Sequence, residues 1–140
     1  MAKVSAKGAV ITLEDSTSTA RTISSDVDSY EIPYQYPPQE VTGFGDGSNN
    51  FIPGLLGTGV TLNIHWNAAA DTGAYTVIKS ILGDTNSHVL SITPETGGPA
   101  WSGEVMCDGI SISGSAAGSA IRLGSVHFSV MGSAAPTLTS

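Results

Sequence analysis

Val60-Thr61-Leu62-Asn63-Ile64-His65-Trp66 alternates apolar and polar residues without a fault. Successive side chains of a strand point to opposite faces, so this run fits a half-buried β-strand and no helix. It predicts Val60, Leu62, Ile64 and Trp66 packed inward, with Thr61, Asn63 and His65 on the opposite face. The same period recurs elsewhere. Val10 to Leu13 reads as a first strand, followed by a polar turn from Glu14 to Thr19 and a return through Ala20 to Ile23, which is hairpin punctuation. Val27 to Tyr36 sets Tyr30, Ile32, Tyr34 and Tyr36 against Ser29, Glu31, Pro33 and Gln35. Because Pro33 cannot donate to a ladder, this strand belongs at a sheet edge or a protomer boundary. Val89 to Thr93, Trp101 to Ser113 and Ala120 to Met131 complete the β pattern. Phase slips are expected at Asp108-Gly109 and at Gly124, since isolated glycines in strands mark bulges or bends. Ser125, His127 and Ser129 then make a polar face opposite Val126, Phe128 and Val130.

One segment switches to helical spacing. Ala74, Val77, Ile78, Ile81 and Leu82 recur every three or four residues, with Asp71 as the expected N-cap, Lys79 in the last turn and Gly83 closing the helix. Between residues 37 and 59 the chain carries Pro37, Pro38 and Pro53 with six glycines, at 43, 45, 47, 54, 57 and 59. A long loop without regular structure is expected there, and such loops usually serve a function. Its Phe44, Phe51, Ile52, Leu55 and Leu56 are too apolar to remain in water, so either the subunit's own core or a neighbouring subunit must receive them.

The predicted fold is mainly β: a single-domain β-sandwich or barrel-forming sheet over residues 1–132, with one flanking α-helix at about 72–82 and the long Gly/Pro-rich loop at about 37–59. Residues 133–140 form a short C-terminal tail, small and polar, of the kind that frays or is ordered by a partner. At 140 residues the length suits one core.

Charged residues make up 12% of the chain, against roughly 25% in an average soluble domain. So few charges protect a monomer poorly from self-association; the chain is either a small neutral β-protein that is soluble all the same, or one whose surface is largely covered by other copies. Twelve acidic residues face five basic ones, a formal net charge of -7. That balance argues against tight phosphate binding, which needs clustered Lys and Arg. The weakly basic segment Met1 to Lys7 leads into an apolar run that Glu14-Asp15 cuts off too soon for a signal peptide, and no run approaches the ~20 apolar residues of a membrane span. A soluble protein is the expectation. The lone Cys107 cannot form an internal disulfide and fits a reducing cytoplasm, as a small buried hydrophobe.

Motifs that carry chemistry are weak. Gly43-Phe44-Gly45-Asp46-Gly47 resembles a phosphate loop only superficially, because no helix opens after it. Asp46, Ser48 and Asn50 alternate like calcium ligands, yet Phe51 stands where the sharp-turn glycine belongs and no closing Glu follows. His65, His88 and His127 are far apart and lack second ligands at metal-site spacing. No Gly-x-Ser-x-Gly elbow singles out a nucleophile. The expectation is therefore no catalytic, metal or cofactor residue, and no enzyme. Trp66 and Trp101 could stack a sugar, which keeps a carbohydrate-binding β-sandwich module as the alternative, although strand tryptophans are more often core.

Residues Val41 to Leu55, through Thr42-Gly43-Phe44-Gly45-Asp46 and Phe51-Ile52-Pro53-Gly54-Leu55, resemble the major tail tube proteins of long-tailed siphophages that infect Gram-positive hosts. The flanks agree in order: Ile23 to Val27, the strand Val60 to Trp66, Trp101-Ser102-Gly103-Glu104, and the close Val126 to Ser133. The resemblance implies a structural subunit in six-fold homohexameric rings that stack helically into a tube, with strands of all subunits closing one barrel around a lumen. It implies a place in the virion tail tube, reached by assembly in the host cytoplasm, and a role in delivering the genome. The implied partners are other copies of the chain, a tape-measure protein, a tail terminator, distal tail proteins, and double-stranded DNA that passes without specific binding. Phe44, Phe51, Ile52, Pro53, Leu55 and Leu56 are then candidate subunit-interface residues. Candidate lumen-facing residues are Thr61, Asn63, His65, Glu104, Asp108, Ser125, His127 and Ser129.

Overall fold

A computed structural model describes residues 5–118, 120–131 and 136–139. The strands in chain order are β1 (Val10–Glu14), β2 (Ala20–Thr22), β3 (Val27–Glu31), β4 (Tyr34–Gln35), β5 (Pro38–Glu40), β6 (Phe51–Pro53) and β7 (Gly57–His65). Helix α1 (Ala74–Ile81) follows, and then β8 (His88–Thr93), β9 (Trp101–Ser113), β10 (Arg122–Val130) and β11 (Thr137–Leu138). Nine strands form one antiparallel sheet in the order β2-β1-β8-β9-β10-β7-β3, with β4 also on β7 and β11 on β9. β5 and β6 pair only with each other.

The alternation in β7 is realised at its core face: Val60, Leu62 and Ile64 are fully buried. They join Ile11 and Leu13 of β1, Leu90 and Ile92 of β8, Trp101, Val105 and Cys107 of β9, and Leu123, Val126 and Phe128 of β10 in one core. Burial pushes the Cys107 thiol up to about 11, so it stays protonated and inert. Helix α1 completes that core with Ala74, Val77, Ile78 and Ile81. Trp66 departs from expectation. It lies beyond the strand end at 36% exposure, stacked on Tyr75 with ring centroids 4.2 Å apart, because the helix reaches no further than Tyr75 to cover it.

The helix start is a second correction. Asp71 has a left-handed backbone (φ 64) and does not cap; the N-cap is Gly73, without a side-chain hydrogen bond. Asp26, preceding β3, accepts the Ala74 N–H at 3.3 Å and both-oxygen contacts from Asn67 Nδ2 at 3.0 and 3.2 Å. The first turn is thus tied to a distant loop, which helical spacing cannot reveal. Gly73 also has no room for a side chain, since a Cβ there would press on the Asn67 carbonyl and lie 2.6 Å from Ala69 N. At the other end Gly83 takes the left-handed φ of 75 expected of a closing glycine, but its N–H donates to the Cys107 carbonyl of β9 instead of to the helix.

Both glycine phase slips occur. The β9–β10 register shifts between His127 and Phe128, leaving Asp108 extra on β9, and again between Gly124 and His127. The strand expected over 27–36 breaks at Ile32-Pro33 into β3 and β4, so Pro33 lies in neither, and β3 stands at the sheet edge. Tyr30, Ile32 and Tyr34 pack on the core, whereas Tyr36 is exposed. The tail is not frayed over 136–139: Thr137 and Leu138 pair with Ser102 and Trp101, and Pro136 is buried. Residues 132–135 and 140 of that tail lie outside the described residues.

Asp15 organises the β1–β2 turn. Its carboxylate accepts from Thr17 Oγ1 at 2.7 Å, Thr17 N at 2.9 Å, Thr19 N at 3.1 Å and Arg21 Nε at 3.0 Å. The Thr17 hydroxyl above all, with Arg21 and the turn N–H groups, overcomes the effect of burial and holds the carboxyl far below the usual range. A depressed folded-state value stabilises the fold above the ordinary carboxylate value, and that stability is lost as pH falls through the depressed one. Asp15→Ala should lower stability at pH 7 by about 1–3 kcal/mol. The gap between variant and wild type should narrow below pH 4 in denaturant titrations.

Candidate functional site: an exposed apolar arm and a polar sheet face

The glycines and prolines of residues 37–59 do not leave the segment irregular. It rises as a hairpin in which Pro38, Gln39 and Glu40 pair with Pro53, Ile52 and Phe51. The ladder is continued by Val41 N–H to Asn50 O at 2.8 Å and closed by Asn50 N–H to Thr42 Oγ1 at 2.8 Å. At the tip Gly43 N–H donates to Asp46 Oδ2 at 2.7 Å, so the Asp46 carboxylate holds its own turn. At the base Gly54 N–H donates to the Pro37 carbonyl at 2.7 Å.

Every residue from 35 to 53 is exposed. Because alternate residues of a hairpin point to opposite faces, neither face rests on the body of the subunit. The segment is an arm, and the core-lid alternative is overturned. Phe44 is fully exposed, Leu55 is 91% exposed, and Phe51, Ile52 and Pro53 are exposed on β6; Leu56, at the root, is half-buried. Burying one such large side chain contributes about 1.5–3 kcal/mol. Four left in water represent a free energy comparable to the ~5–15 kcal/mol stability of a whole domain.

The second feature is the outer face of the sheet. The structure brings all eight candidate lumen residues to it. Thr61, Asn63 and His65 of β7 lie opposite the buried Val60, Leu62 and Ile64, and Ser125, His127 and Ser129 of β10 flank the buried Val126 and Phe128. Glu104 and Asp108 of β9 are exposed, next to the buried Val105 and Cys107. The bulge sets Asp108 between two strand neighbours: Oδ1 is 2.7 Å from His127 Nδ1, and Oδ2 accepts from Ser129 Oγ at 2.8 Å. Partial burial opposes ionisation of Asp108, but the hydrogen bonds from His127 and Ser129 outweigh it and keep the carboxyl below its ordinary range. Ser129 donates to the carboxylate rather than to the imidazole, so this trio does not have the nucleophile-to-base order of a hydrolase. Asn63 bridges the face, donating to Ser29 Oγ at 3.0 Å and accepting from Ser125 N–H at 3.3 Å.

Pairing brings further residues onto this face. Ser29 and Glu31 of β3 lie opposite Asn63 and Thr61, and Met106 lies opposite Ser129. The polar face also carries a cation: Arg122 pairs with His65 in register and hydrogen-bonds Asp28, whose carboxylate also lies 3.9 Å from His65. That cation is matched by its own carboxylate. His88, by contrast, is buried, with Nε2 2.9 Å from Asp84 Oδ2. Hydrogen bonds from the Asn86 backbone and from His88 hold the Asp84 carboxyl below its ordinary range. Trp101 is 1% exposed and unavailable for stacking a sugar. Among the described residues no helix is long and apolar enough to cross a membrane.

No model of a known protein family matches the chain, and neither does any curated protein.

Since the arm touches little of its own subunit, replacing Phe51, Ile52 and Leu55 by Ser should leave the thermal transition cooperative, with its midpoint within about 2–4 °C of wild type. Loss of cooperativity in calorimetry would show that these side chains support the fold.

Proposed function

We propose that the chain is a non-enzymatic structural subunit of a bacteriophage tail tube, which assembles with copies of itself into stacked rings around a channel for the genome. The observation that carries this reading is the arm: a hairpin exposed on both faces, with Phe44, Phe51, Ile52 and Leu55 uncovered. An exposed apolar patch on a soluble subunit marks an interaction site, and the resemblance of residues 41–55 to tail tube proteins supplies the kind of partner, another copy.

Two further features support it. β2 and β3 are edge strands with unpaired backbone groups, and lateral pairing between copies satisfies such edges. The outer sheet face offers hydroxyls, an amide and the carboxylates of Glu31, Glu104 and Asp108, while its one assigned cation, Arg122, is paired with Asp28. A wall of that kind passes a polyanion without holding it, because each fixed, free cation would add a salt-dependent attraction to phosphate. The carbohydrate-binding alternative retains Trp66 as a half-exposed ring and loses Trp101 to the core.

Purified protein should form rings or hollow tubes as its concentration rises, visible by negative-stain electron microscopy. A monomer by light scattering at high concentration, even with tail tips added as nuclei, would overturn the reading. The channel assignment has its own test. Thr61→Lys and Glu104→Lys, with Glu31→Gln to remove the carboxylate opposite residue 61, place free cations on the outer face without touching the core. Tubes should still form, and genome ejection from virions carrying them should slow, with the slowing relieved as salt is raised. Unchanged ejection would show that this face does not line the channel.

A further inference from the structure

The described residues expose eleven large hydrophobic side chains, and they are not scattered. Tyr36, Val41, Phe44, Phe51, Ile52 and Leu55 belong to the arm or its root. Trp66, Ile112 and Ile121 form a second group, at 36%, 55% and 47% exposure; Leu82 and Leu138 stand apart.

The second group is the core face of the sheet running on past its core. Ile112 lies opposite Leu123, and Leu123 opposite Ile64; both Leu123 and Ile64 are fully buried. Ile121 stands two residues before Leu123, and Trp66 two residues after Ile64, so the period of two sets them on that same face. The Trp66 N–H donates to the Ile121 carbonyl at 3.1 Å, which carries the β7–β10 pairing one step beyond the strands. Tyr75 supports Trp66 from one side. Ile112, Ile121 and the free side of Trp66 have no cover from the described chain.

The two groups lie at opposite ends of one strand. The arm leaves the sheet at Gly57, where Gln35 pairs with the first residue of β7, and the patch begins at Trp66, just beyond the last. Nine residues separate the ends by about 27–30 Å. The arm is exposed on both faces and rests on no such surface of its own subunit. An apolar projection at one end and an uncovered apolar surface at the other are two different surfaces. Set about one strand length apart, they allow a heterologous union between copies that repeats along an axis.

We infer that the Trp66–Ile112–Ile121 patch is the acceptor for the arm of a second copy, so that Phe44, Phe51, Ile52 or Leu55 of one subunit covers it in the next. This rests on the self-assembly reading and specifies where successive layers join. It gives the assembly a direction, with one end presenting free arms and the other free patches.

Complementary variants test it. Ile112→Ser with Ile121→Ser alters only exposed side chains, so the protein should fold and keep its arm; Phe51→Ser, Ile52→Ser and Leu55→Ser together keep the patch. Neither variant alone should elongate in sedimentation or electron microscopy. An equal mixture should form complexes that contain both in equal number and stop there, because each complex has spent its one intact arm-to-patch contact. As a second measurement, Leu55→Cys mixed with Ile121→Cys should form an intermolecular disulfide under mild oxidation, Cys107 being buried and unreactive. Elongation of the patch variant like wild type, or a mixture that stays unassociated with no disulfide, would overturn the inference and leave the self-assembly reading standing. A wild type that remains monomeric would overturn both.

Discussion

Val60, Leu62 and Ile64 must leave water together, because a strand of period two cannot bury one of them on a sheet face without the others. β7 therefore has a single usable register, and much of the molecule is fixed by it. β10 supplies Leu123, Val126 and Phe128 to the same core face, and the sheet continues through β9, β8 and β1. Helix α1 closes the core with Ala74, Val77, Ile78 and Ile81, anchored at its first turn by Asp26. A slip of one residue in β7 would turn Asn63 and His65 into the core, where unpaired polar groups are costly.

The same register produces the outer face. On the face opposite that core, β7 and β10 present hydroxyls, an amide, imidazoles and the Arg122 guanidinium, and the bulge at Asp108 places a carboxylate within hydrogen-bond distance of His127 and Ser129. Bulges increase local twist and redirect side chains, and here the result is a cross-strand polar cluster. Glu31, Glu104 and Asp108 add carboxylates to this face, with Arg122 matched by Asp28. Such a surface offers phosphate little attraction, which is what the proposed channel wall requires.

The arm depends on the body in another way. It grows from the first residue of β7, and its exposure follows from the pairing of β5 with β6 alone. A hairpin of two strands is marginally stable in isolation, so an apolar arm held away from its own core gains most when a partner covers it. The edge strands β2 and β3 carry a comparable incompleteness in hydrogen bonds rather than in apolar area. On the proposed reading, further copies of the chain would cover these unfinished surfaces.

Much of this was legible in the chain. Alternation identified β7 and the buried faces of the neighbouring strands, helical spacing placed α1, glycines marked the bulges at 108 and 124, and Pro33 marked an edge. The eight polar residues assigned to one face do share it, since face membership follows from local period once strands are known. Local signals failed where distant segments meet. Asp26 instead of Asp71 holds the helix start, Arg122 lies on the polar face through its register with His65, Trp66 lies beyond the reach of the helix, and residues 136–139 dock on β9. The apolar residues of 44–56 required cover, but only the pairing of β5 with β6 decided that they stand away from their own core. Sequence period determines which side of an element a residue faces; what then covers that side is set by contacts between segments far apart in the chain, and those exist only in the folded molecule.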